Sequence, residues 1–192
     1  GAGLAHRVDL GGLLYALDKD ILIFLQQQHA QLLFVHGAVL QQGENCILIT
    51  GSSGAGKSSL ALALTQHAAS HPQSWRLLSD ELAPIQLDAG RVYPYYRALG
   101  LKTPLAEGLQ LPTGSMRLRD GLQIPPASLA RPELVPTRLA AVYSLRGQFA
   151  SHYARGSRMA TADAALIYLR NTLNNLAHDS AGLPAAIKLA AR

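Results

Sequence analysis

The stretch that decides the fold is ITGSSGAGKSSLALAL, which occupies residues 49–64. Its segment from Gly51 to Ser58 matches the pattern G-x-x-x-x-G-K-[ST] at every fixed position. In such a loop the glycines let the backbone turn tightly, and no side chain separates the main chain from a phosphate group. The loop amides and the positive end of the following helix then attract the phosphates. An apolar strand before the loop and a helix after it complete the context, so the stretch predicts nucleotide binding in an α/β domain.

The residues of this phosphate loop have different predicted parts. Lys57 is expected to neutralise the β- and γ-phosphates, and the Ser58 hydroxyl is expected to ligate Mg²⁺. The residues predicted to hold the nucleotide are Gly51, Ser52, Ser53, Gly54, Ala55, Gly56, Lys57, Ser58 and Ser59. The motif indicates nucleotide binding strongly but does not select the reaction, because kinases, motor ATPases, switch GTPases and transporters share the loop.

The composition is that of a globular protein, with 48% hydrophobic and 15% charged residues. A chain of 192 residues suits one domain with a full core, so we expect a single domain over residues 1–192. The apolar run ILIFL at 21–25 is far shorter than the roughly 20 residues of a membrane span. The first residues lack the pattern of a secretory signal, and Cys46 in the apolar segment NCILIT is expected to be a buried core thiol. These features favour a cytoplasmic protein without membrane contact.

The charge is distributed unevenly along the chain. Residues 1–90 carry a net charge of −3, whereas residues 91–192 carry +8. A basic second half suits a phosphate-rich ligand or an acidic partner. Nucleic acid is the rival interpretation, but the arginines are scattered singly, without a basic run or interleaved aromatic residues, so no nucleic-acid partner is expected.

Apolar periodicity and turn residues predict a succession of helices and strands. The predicted helices span residues 10–30, 57–69, 161–178 and 183–192, the last with Pro184 in its first turn. The predicted strands span residues 31–40, 45–50, 75–80, 82–87, 90–96, 99–102 and 138–145. Residues 103–137 are rich in Pro and Gly, and a hairpin is expected near PTGS (112–115) or RDG (119–121). The adjacent short strands after residue 80 favour a mixed sheet over a wholly parallel one.

The residues beyond the loop narrow the reaction. No [NT]-K-x-D motif follows, so the guanine selectivity of switch GTPases has no support, and the L-S-G-G-Q signature of transporter ATPases is absent. The segment WRLLSD (75–80) is the strand that ends in acid, and its Asp80 lies only 23 residues after Lys57. A carboxylate beside the loop can accept the proton of an attacking hydroxyl or hold Mg²⁺. We therefore expect Asp80 to be the catalytic base.

Two neighbouring candidates are weaker. Glu81 follows Asp80 directly, so the two side chains should diverge unless the strand ends between them, and Glu81 is a candidate metal ligand. His36 ends the apolar segment LLFVH, 15 residues before Gly51. By its spacing alone His36 suits a structural role better than a catalytic one. The other histidines show no metal-ligand spacing.

The chain resembles the catalytic domain of HPr kinase/phosphorylase and its looser relatives, the HPr-kinase-like serine kinases. The resemblance is carried by HGAVL (36–40), ILITGSSGAGKSSLALAL (47–64) and LLSDELAPI (77–85). It implies a P-loop kinase domain of the HPr kinase / PEP carboxykinase-like type, with ATP and Mg²⁺ as cofactors. It further implies that Asp80 is the general base that deprotonates an acceptor serine, that His36 is its neighbour in the active site, and that a homo-oligomer is possible.

The chain also departs from that family. The acidic pair, usually two aspartates in the family, is Asp80-Glu81 here. The HPr kinases proper carry a metal-binding glutamate before an Arg-Gly-Leu-Gly segment, but Tyr96 directly precedes Arg97 in the nearest segment, YYRALGLK (95–102). This difference leaves metal coordination and a phosphorylase back-reaction open. By resemblance to the looser relatives, Arg97 and Lys102 are candidates for phosphate or substrate contacts.

Three hypotheses about function follow. The first is a kinase that transfers the γ-phosphoryl group of ATP to a hydroxyl, with a serine of a peptide or protein as acceptor. The second is a regulator that senses ATP or phosphate without transferring anything. The third is a kinase of a small-molecule hydroxyl. The retained Asp80 favours a kinase, and the missing glutamate before Arg97 favours the regulator.

Overall fold

The computed structural model describes residues 10–67, 74–102, 105, 108–118, 121–146, 156–174, 184, 187–188 and 190–191. Within them lie three helices and ten strands. The helices are α1 (Leu10–Gln28), α2 (Lys57–His67) and α3 (Thr161–Asn171). The strands are β1 (Leu33–Val35), β2 (Ala38–Gln42), β3 (Asn45–Gly51), β4 (Arg76–Ser79), β5 (Ala83–Gln86), β6 (Arg91–Val92), β7 (Leu99–Leu101), β8 (Met116–Leu118), β9 (Gly121–Ile124) and β10 (Thr137–Leu145).

Seven of these strands form a mixed sheet in the order β1-β5-β6-β10-β3-β2-β4, and the other three form an antiparallel sheet in the order β7-β9-β8. Among the described strands, β10 and β3 are the parallel neighbours, and the other neighbours in the large sheet are antiparallel. The prediction of an α/β domain with a mixed central sheet and flanking helices is confirmed at this level.

Two short connections force the large sheet to curl. Strands β1 and β2 are separated only by His36 and Gly37, yet they stand first and sixth in the strand order. In a flat sheet those positions lie roughly 24 Å apart. The three Cα–Cα steps from Val35 to Ala38 span at most roughly 11 Å. The connection from β4 to β5, residues 80–82, joins the seventh and second positions in the same way. The sheet therefore bends until its two ends approach each other.

The core lies on both faces of β3. Cys46 and Leu48 belong to a fully buried cluster with residues of α3 such as Tyr168, whereas Ile49 packs with α2 and the small sheet. Burial raises the pKa of the Cys46 thiol to about 12, so the prediction of a buried core thiol is confirmed. The strand that leads into the phosphate loop is therefore packed on both of its faces.

The prediction of one strand over residues 31–40 is wrong. The segment splits into β1 and β2 at His36-Gly37, because β1 pairs with β5 while β2 pairs with β3 and β4. The N–H of His36 donates to the carbonyl oxygen of Asn171, 2.7 Å away, so the chain leaves the sheet at this point. A single apolar run therefore supplies two strands of one sheet that are not neighbours.

The predicted helix over residues 161–178 is too long. The helix α3 ends at Asn171, and the chain then runs along β1. Thr172 forms an isolated bridge with Val35, and the N–H of Leu173 donates to the carbonyl oxygen of Phe34. The buried side chain of Asn174 also accepts from the N–H of Phe34, at 3.0 Å. These backbone partners outweigh the helical pattern, and residues 175–178 lie outside the described part of the chain.

The remaining element predictions are largely confirmed. The opening helix and α2 lie where expected, although Ala68 and Ala69 lie outside the described residues. The strand expected over residues 90–96 is reduced to β6. The hairpin of the irregular region is the pair β8–β9, in which Leu118 pairs with Gly121, while Arg119 and Asp120 lie outside the described residues. Of the last predicted helix, the structure describes residues 184, 187, 188 and 190 as helical. In the described part of the chain, no helix combines the length and hydropathy that crossing a membrane requires.

Replacement of Gly37 by alanine should destabilise the fold. A Cβ atom at Gly37 would lie 2.6 Å from the carbonyl oxygen of Ile49 and 2.7 Å from Cδ1 of Leu48, both in the central strand β3. We expect Gly37→Ala to lower the free energy of unfolding by about 1–3 kcal/mol, as measured by chemical denaturation. Gly156→Ala is the control, because a Cβ there would meet no atom of the described residues within 4 Å. Equal stability of the two variants would contradict this account.

Candidate active site

The phosphate loop joins β3 to α2 as the motif requires. Strand β3 ends at Gly51, and α2 begins at Lys57. Gly51 approaches β10 so closely that a Cβ atom would lie 2.7 Å from the carbonyl oxygen of Leu145. Gly56 has a φ of 89°, a conformation that favours glycine. Glycine at position 51 is therefore favoured both by close packing and by its φ of 146°, and glycine at position 56 by its backbone conformation.

Lys57 folds back over this loop. Its Nζ donates to the carbonyl oxygens of Gly51, at 2.9 Å, and of Ser52, at 3.1 Å. Burial lowers the pKa of Lys57, while the nearby carboxylate of Asp80 opposes that shift. The structure thus brings together the loop, its lysine and the predicted base.

Asp80 is the buried charge of the site, with 2% of its surface exposed. The Ser58 hydroxyl lies 3.0 Å from Oδ1 and 3.3 Å from Oδ2, and the N–H of Gly100 donates to Oδ2 at 3.1 Å. Burial raises the pKa of Asp80 to about 6, although the hydrogen bonds from Gly100 and Ser58 favour the charged form. Near neutral pH this carboxyl group can therefore both exist as a carboxylate and take up a proton.

Glu81 turns away from Asp80, as the sequence predicted. Strand β4 ends at Ser79, and Glu81 adopts a φ of 67°, which is unusual for a residue other than glycine. Its half-exposed carboxylate lies 3.3 Å from Nη1 of Arg97. The left-handed turn thus sends one acid inward to the phosphate loop and the other outward to an arginine.

His36 reaches this turn from the β1–β2 connection. Its Nδ1 lies 3.1 Å from the carbonyl oxygen of Glu81, so Nδ1 carries the proton and donates it. Burial and the positive charge of Lys57 lower the pKa of His36. At neutral pH His36 is therefore an uncharged imidazole whose position is fixed by the backbone beside Asp80.

Arg97 is held by two carboxylates, one of which the sequence reading missed. Its Nη2 lies 3.0 Å from Oδ2 of Asp18 in α1, and its Nη1 faces Glu81. The predicted contact of Arg97 with the nucleotide stays a prediction. The signal for Asp18 was its helical position four residues before Leu22, which packs on the cluster of Leu32, Phe34 and Leu82.

The small sheet contributes two groups to the site through its strand β7. Gly100 donates its N–H to Asp80, as described above, and Lys102 lies just beyond the strand. The Nζ of Lys102 donates to Oγ of Ser53 at 2.8 Å, so this lysine reaches the phosphate loop. Sequence reasoning had Lys102 as a candidate contact but missed Gly100, because a backbone N–H leaves no signature in the residue type.

Oxygen donors for a metal ion lie at the start of α2. The predicted ligands Ser58 and Glu81 are on opposite sides of Asp80, and Ser58 is bonded to the Asp80 carboxylate. In the part of the chain that the structure describes, no three His, Cys, Asp or Glu residues converge on a possible metal position. Mg²⁺ at phosphate sites uses one or two protein oxygens together with phosphate oxygens and water, so a hydroxyl and a carboxylate suit it.

The sequence matches no protein-family model, and a search of the curated proteins gives no significant match. Assignment of a function therefore depends on the geometry and chemistry of the residues around the phosphate loop.

The buried Asp80 should make stability depend on pH. Its pKa in the folded protein, about 6, exceeds the ordinary value of 3.8, so the folded state binds this proton more tightly than the unfolded state. The resulting stabilisation is full below about pH 4 and is lost as the pH rises through about 6. We expect the difference in unfolding free energy, wild type minus Asp80→Asn, to fall by roughly 2–3 kcal/mol from pH 4 to 7.

Denaturant titrations of both proteins at each pH measure this difference, and the contributions of other titrating groups cancel between them. A difference that stays flat, or that rises with pH, would contradict the assignment of a raised pKa to Asp80.

Proposed function

We propose that this protein is an ATP-dependent kinase that transfers the γ-phosphoryl group to a hydroxyl, with a serine of a peptide or protein as the acceptor. The single observation that carries the proposal is the buried carboxylate of Asp80, which is bonded to Ser58 of the phosphate loop. Its pKa of about 6 suits a general base that works at neutral pH. A phosphate loop beside such a base is the combination that phosphoryl transfer to a hydroxyl needs.

The phosphate loop fits a nucleoside triphosphate. Gly54 and Gly56 have φ values of 82° and 89°. Among the described residues a Cβ at Gly54 would meet no atom within 4 Å, so the backbone of the loop is open on that side. The amides of residues 52–59 would bind the phosphates, since the N-terminus of α2 adds positive potential. Lys57 supplies the mobile positive charge for the β- and γ-phosphates.

The Ser58 hydroxyl at the start of α2 fits Mg²⁺. The half-exposed Glu81 carboxylate faces Arg97 instead, so its role as a metal ligand stays a prediction. When bound, Mg²⁺ supplies positive charge that neutralises the phosphate oxygens and orients them. The hydroxyl of Ser58 now donates to Asp80, so the protein holds its metal ligand and its base side by side.

In the proposed reaction Asp80 accepts the proton of the acceptor hydroxyl. The acceptor oxygen forms a bond to the γ-phosphorus, the bond between the γ-phosphorus and the β–γ bridging oxygen breaks, and ADP carries away that electron pair. The N–H of Gly100 and the hydroxyl of Ser58 hold both oxygens of Asp80 and so orient them before the transfer. Positioning and charge neutralisation provide most of the catalysis in such reactions.

His36 is proposed as a positioning residue beside the base. Its neutral imidazole donates from Nδ1 to the carbonyl oxygen of Glu81, which fixes the turn that buries Asp80. Arg97 supports the same turn from the other side, since it bridges Glu81 and Asp18. The turn with its left-handed Glu81 is thus supported by contacts from the β1–β2 connection and from α1.

The resemblance to the HPr kinase / PEP carboxykinase-like P-loop kinases supports this proposal and a serine acceptor. Because Tyr96 replaces the family's metal-binding glutamate, and its hydroxyl donates to the carbonyl oxygen of Pro126, we propose the kinase direction alone. A cytoplasmic location, where ATP is available, is proposed with it.

Asp80→Asn should abolish transfer with little effect on nucleotide binding. An amide of the same shape can accept from the N–H of Gly100 with its oxygen and donate from its NH₂ group to the Ser58 hydroxyl oxygen, but it cannot take up the acceptor proton. We expect turnover to fall by about 10²–10⁴-fold, while the affinity for ATP changes by no more than about threefold. The measurements are transfer of label from γ-labelled ATP to serine peptides, release of ADP, and calorimetric titration with ATP and Mg²⁺.

Asp20→Asn, on the exposed surface of α1, is the matched control and should retain full activity. Full activity of Asp80→Asn would refute the assignment of the base. Tight binding of ATP by the wild type without transfer to serine peptides, small alcohols or water would favour a nucleotide-sensing regulator, and transfer only to small alcohols would favour a small-molecule kinase.

The pH dependence of turnover provides a separate test of the base. We expect kcat/KM to rise with pH through about 6 and to level off above it, because Asp80 must be a carboxylate. His36 also titrates in the acid range, since its pKa lies below the ordinary value. His36→Gln should therefore lower turnover but keep the rising limb, and loss of that limb in His36→Gln would transfer the role of base to His36.

A further inference from the structure

A second candidate site lies at the end of the sheet opposite the phosphate loop. It is a cavity of about 480 Å³, here called the hairpin cavity, whose lining includes Glu44, Asn45, Arg91, Glu133, Thr137 and Arg138. Strand β3 runs from this cavity at Asn45 to the loop at Gly51, a separation of roughly 20 Å at the usual rise per residue. The volume lies within the range of small-molecule sites in proteins.

Two arginines lie on neighbouring strands in the lining of this cavity. Arg138 of β10 and Arg91 of β6 are register partners in an antiparallel pair, so their side chains emerge on the same face of the sheet. Like charges directly opposite each other destabilise a sheet. In the part of the chain that the structure describes, neither guanidinium has a carboxylate within 4.0 Å. The two arginines are thus neighbouring positive charges that form no ion pair with any carboxylate in the described residues.

Neutral groups hold the two arginines in place. Nη1 of Arg91 donates to the carbonyl oxygen of Pro136, and Nε of Arg138 donates to Oδ1 of Asn45, both at 2.9 Å. Because a guanidinium carries five N–H groups, each arginine retains further donors after these bonds. The pair is therefore oriented but not neutralised, which suits the binding of a carboxylate by two forks.

Two glutamates give the same cavity a negative side. Glu44 and Glu133 both line it, and in the described residues neither forms an ion pair. The backbone of Glu133 is fixed by the amide of Gln41, which is 2% exposed. Its Oε1 accepts from the N–H of Glu133 at 2.8 Å, and its Nε2 donates to the carbonyl oxygen of Glu133 at 3.2 Å. A bare anion would meet these glutamates as well as the arginines.

We propose that the hairpin cavity binds a small zwitterion, an amino acid or a short peptide, with its carboxylate on Arg91 and Arg138 and its ammonium group on Glu44 and Glu133. Four formal charges of both signs converge on one cavity without pairing with one another, and a ligand with both signs complements all of them. The site is separate from the phosphate loop, so the proposal does not depend on kinase activity.

The test uses the ¹⁵N-labelled full chain and two-dimensional NMR titrations. The probes are glycine, pooled L-amino acids, glycylglycine, N-acetylglycine, which lacks the ammonium group, and glycinamide, which lacks the carboxylate. We expect zwitterions to shift the amide signals of Gly43, Glu44 and Asn45, and to do so at least tenfold more tightly than either half-charged probe. Glycine and glycylglycine distinguish a free amino acid from a peptide.

The variants assign the charges. Arg138→Gln and Arg91→Gln should each weaken zwitterion binding about tenfold or more, whereas Arg138→Lys should weaken it less. Glu133→Gln should weaken the binding of glycine or glycylglycine but not the binding of N-acetylglycine. Arg117→Gln is the matched control, because Arg117 is an exposed arginine on a strand of the small sheet and its replacement removes the same charge.

Unchanged affinity in both arginine variants would overturn the proposal, and so would equal binding of N-acetylglycine and glycine, or the absence of signal changes with every probe. The NMR spectrum of each variant reports whether it is folded. If Arg91→Gln or Arg138→Gln fails to fold, Arg91→Lys and Arg138→Lys replace them. These variants keep the charge but lose the forked guanidinium, and their affinity for zwitterions is measured in the same titration.

Discussion

The structure depends on two short connections that must join distant strands of one sheet. His36-Gly37 leads from β1 to β2, and residues 80–82 lead from β4 to β5, although each pair stands five places apart in the strand order. The sheet must curl to satisfy them, and the curl brings the two connections side by side. The hydrogen bond from His36 to the carbonyl oxygen of Glu81 then links one connection to the other. The candidate base, its neighbouring histidine and the phosphate loop meet at this point because of a constraint on chain length.

Burial of Asp80 at this junction involves opposing free energies. Removal of the carboxylate from water is unfavourable and raises its pKa, while the Ser58 hydroxyl and the Gly100 N–H compensate in part. Glu81 contributes a further cost, because its left-handed backbone conformation disfavours a side chain with a Cβ by about 1–2 kcal/mol. Such local costs are found most often at functional sites. The same burial that costs folding free energy therefore raises the pKa of Asp80 and gives it the reactivity proposed for the base.

Residues from both sheets form the candidate site. Strand β7 places Gly100 against the base, and Lys102, directly after it, reaches Ser53 of the phosphate loop. The basic second half of the chain is thus used in more than one way. Lys102 faces the loop, Arg97 supports the turn at Glu81, and Arg91 and Arg138 line a cavity at the far end of the sheet. An excess of positive charge predicted an anionic ligand, but only the tertiary structure shows which basic residues lie at the candidate active site and which line the second cavity.

The sequence by itself determined the features that depend on local pattern: the strand–loop–helix around the G-x-x-x-x-G-K-[ST] motif, the mixed α/β class, the buried thiol and the acid that directly follows β4. These features depend on the types and spacing of residues that are close together in the sequence. The tertiary structure decided where the apolar run at 31–40 breaks, where α3 ends, and which groups complete the site. Asp18, Gly100 and the arginine pair lie far along the chain from their partners, and backbone donors have no signature in residue type. Their positions depend on strand register and on the curl of the sheet, which arise only when the whole chain packs.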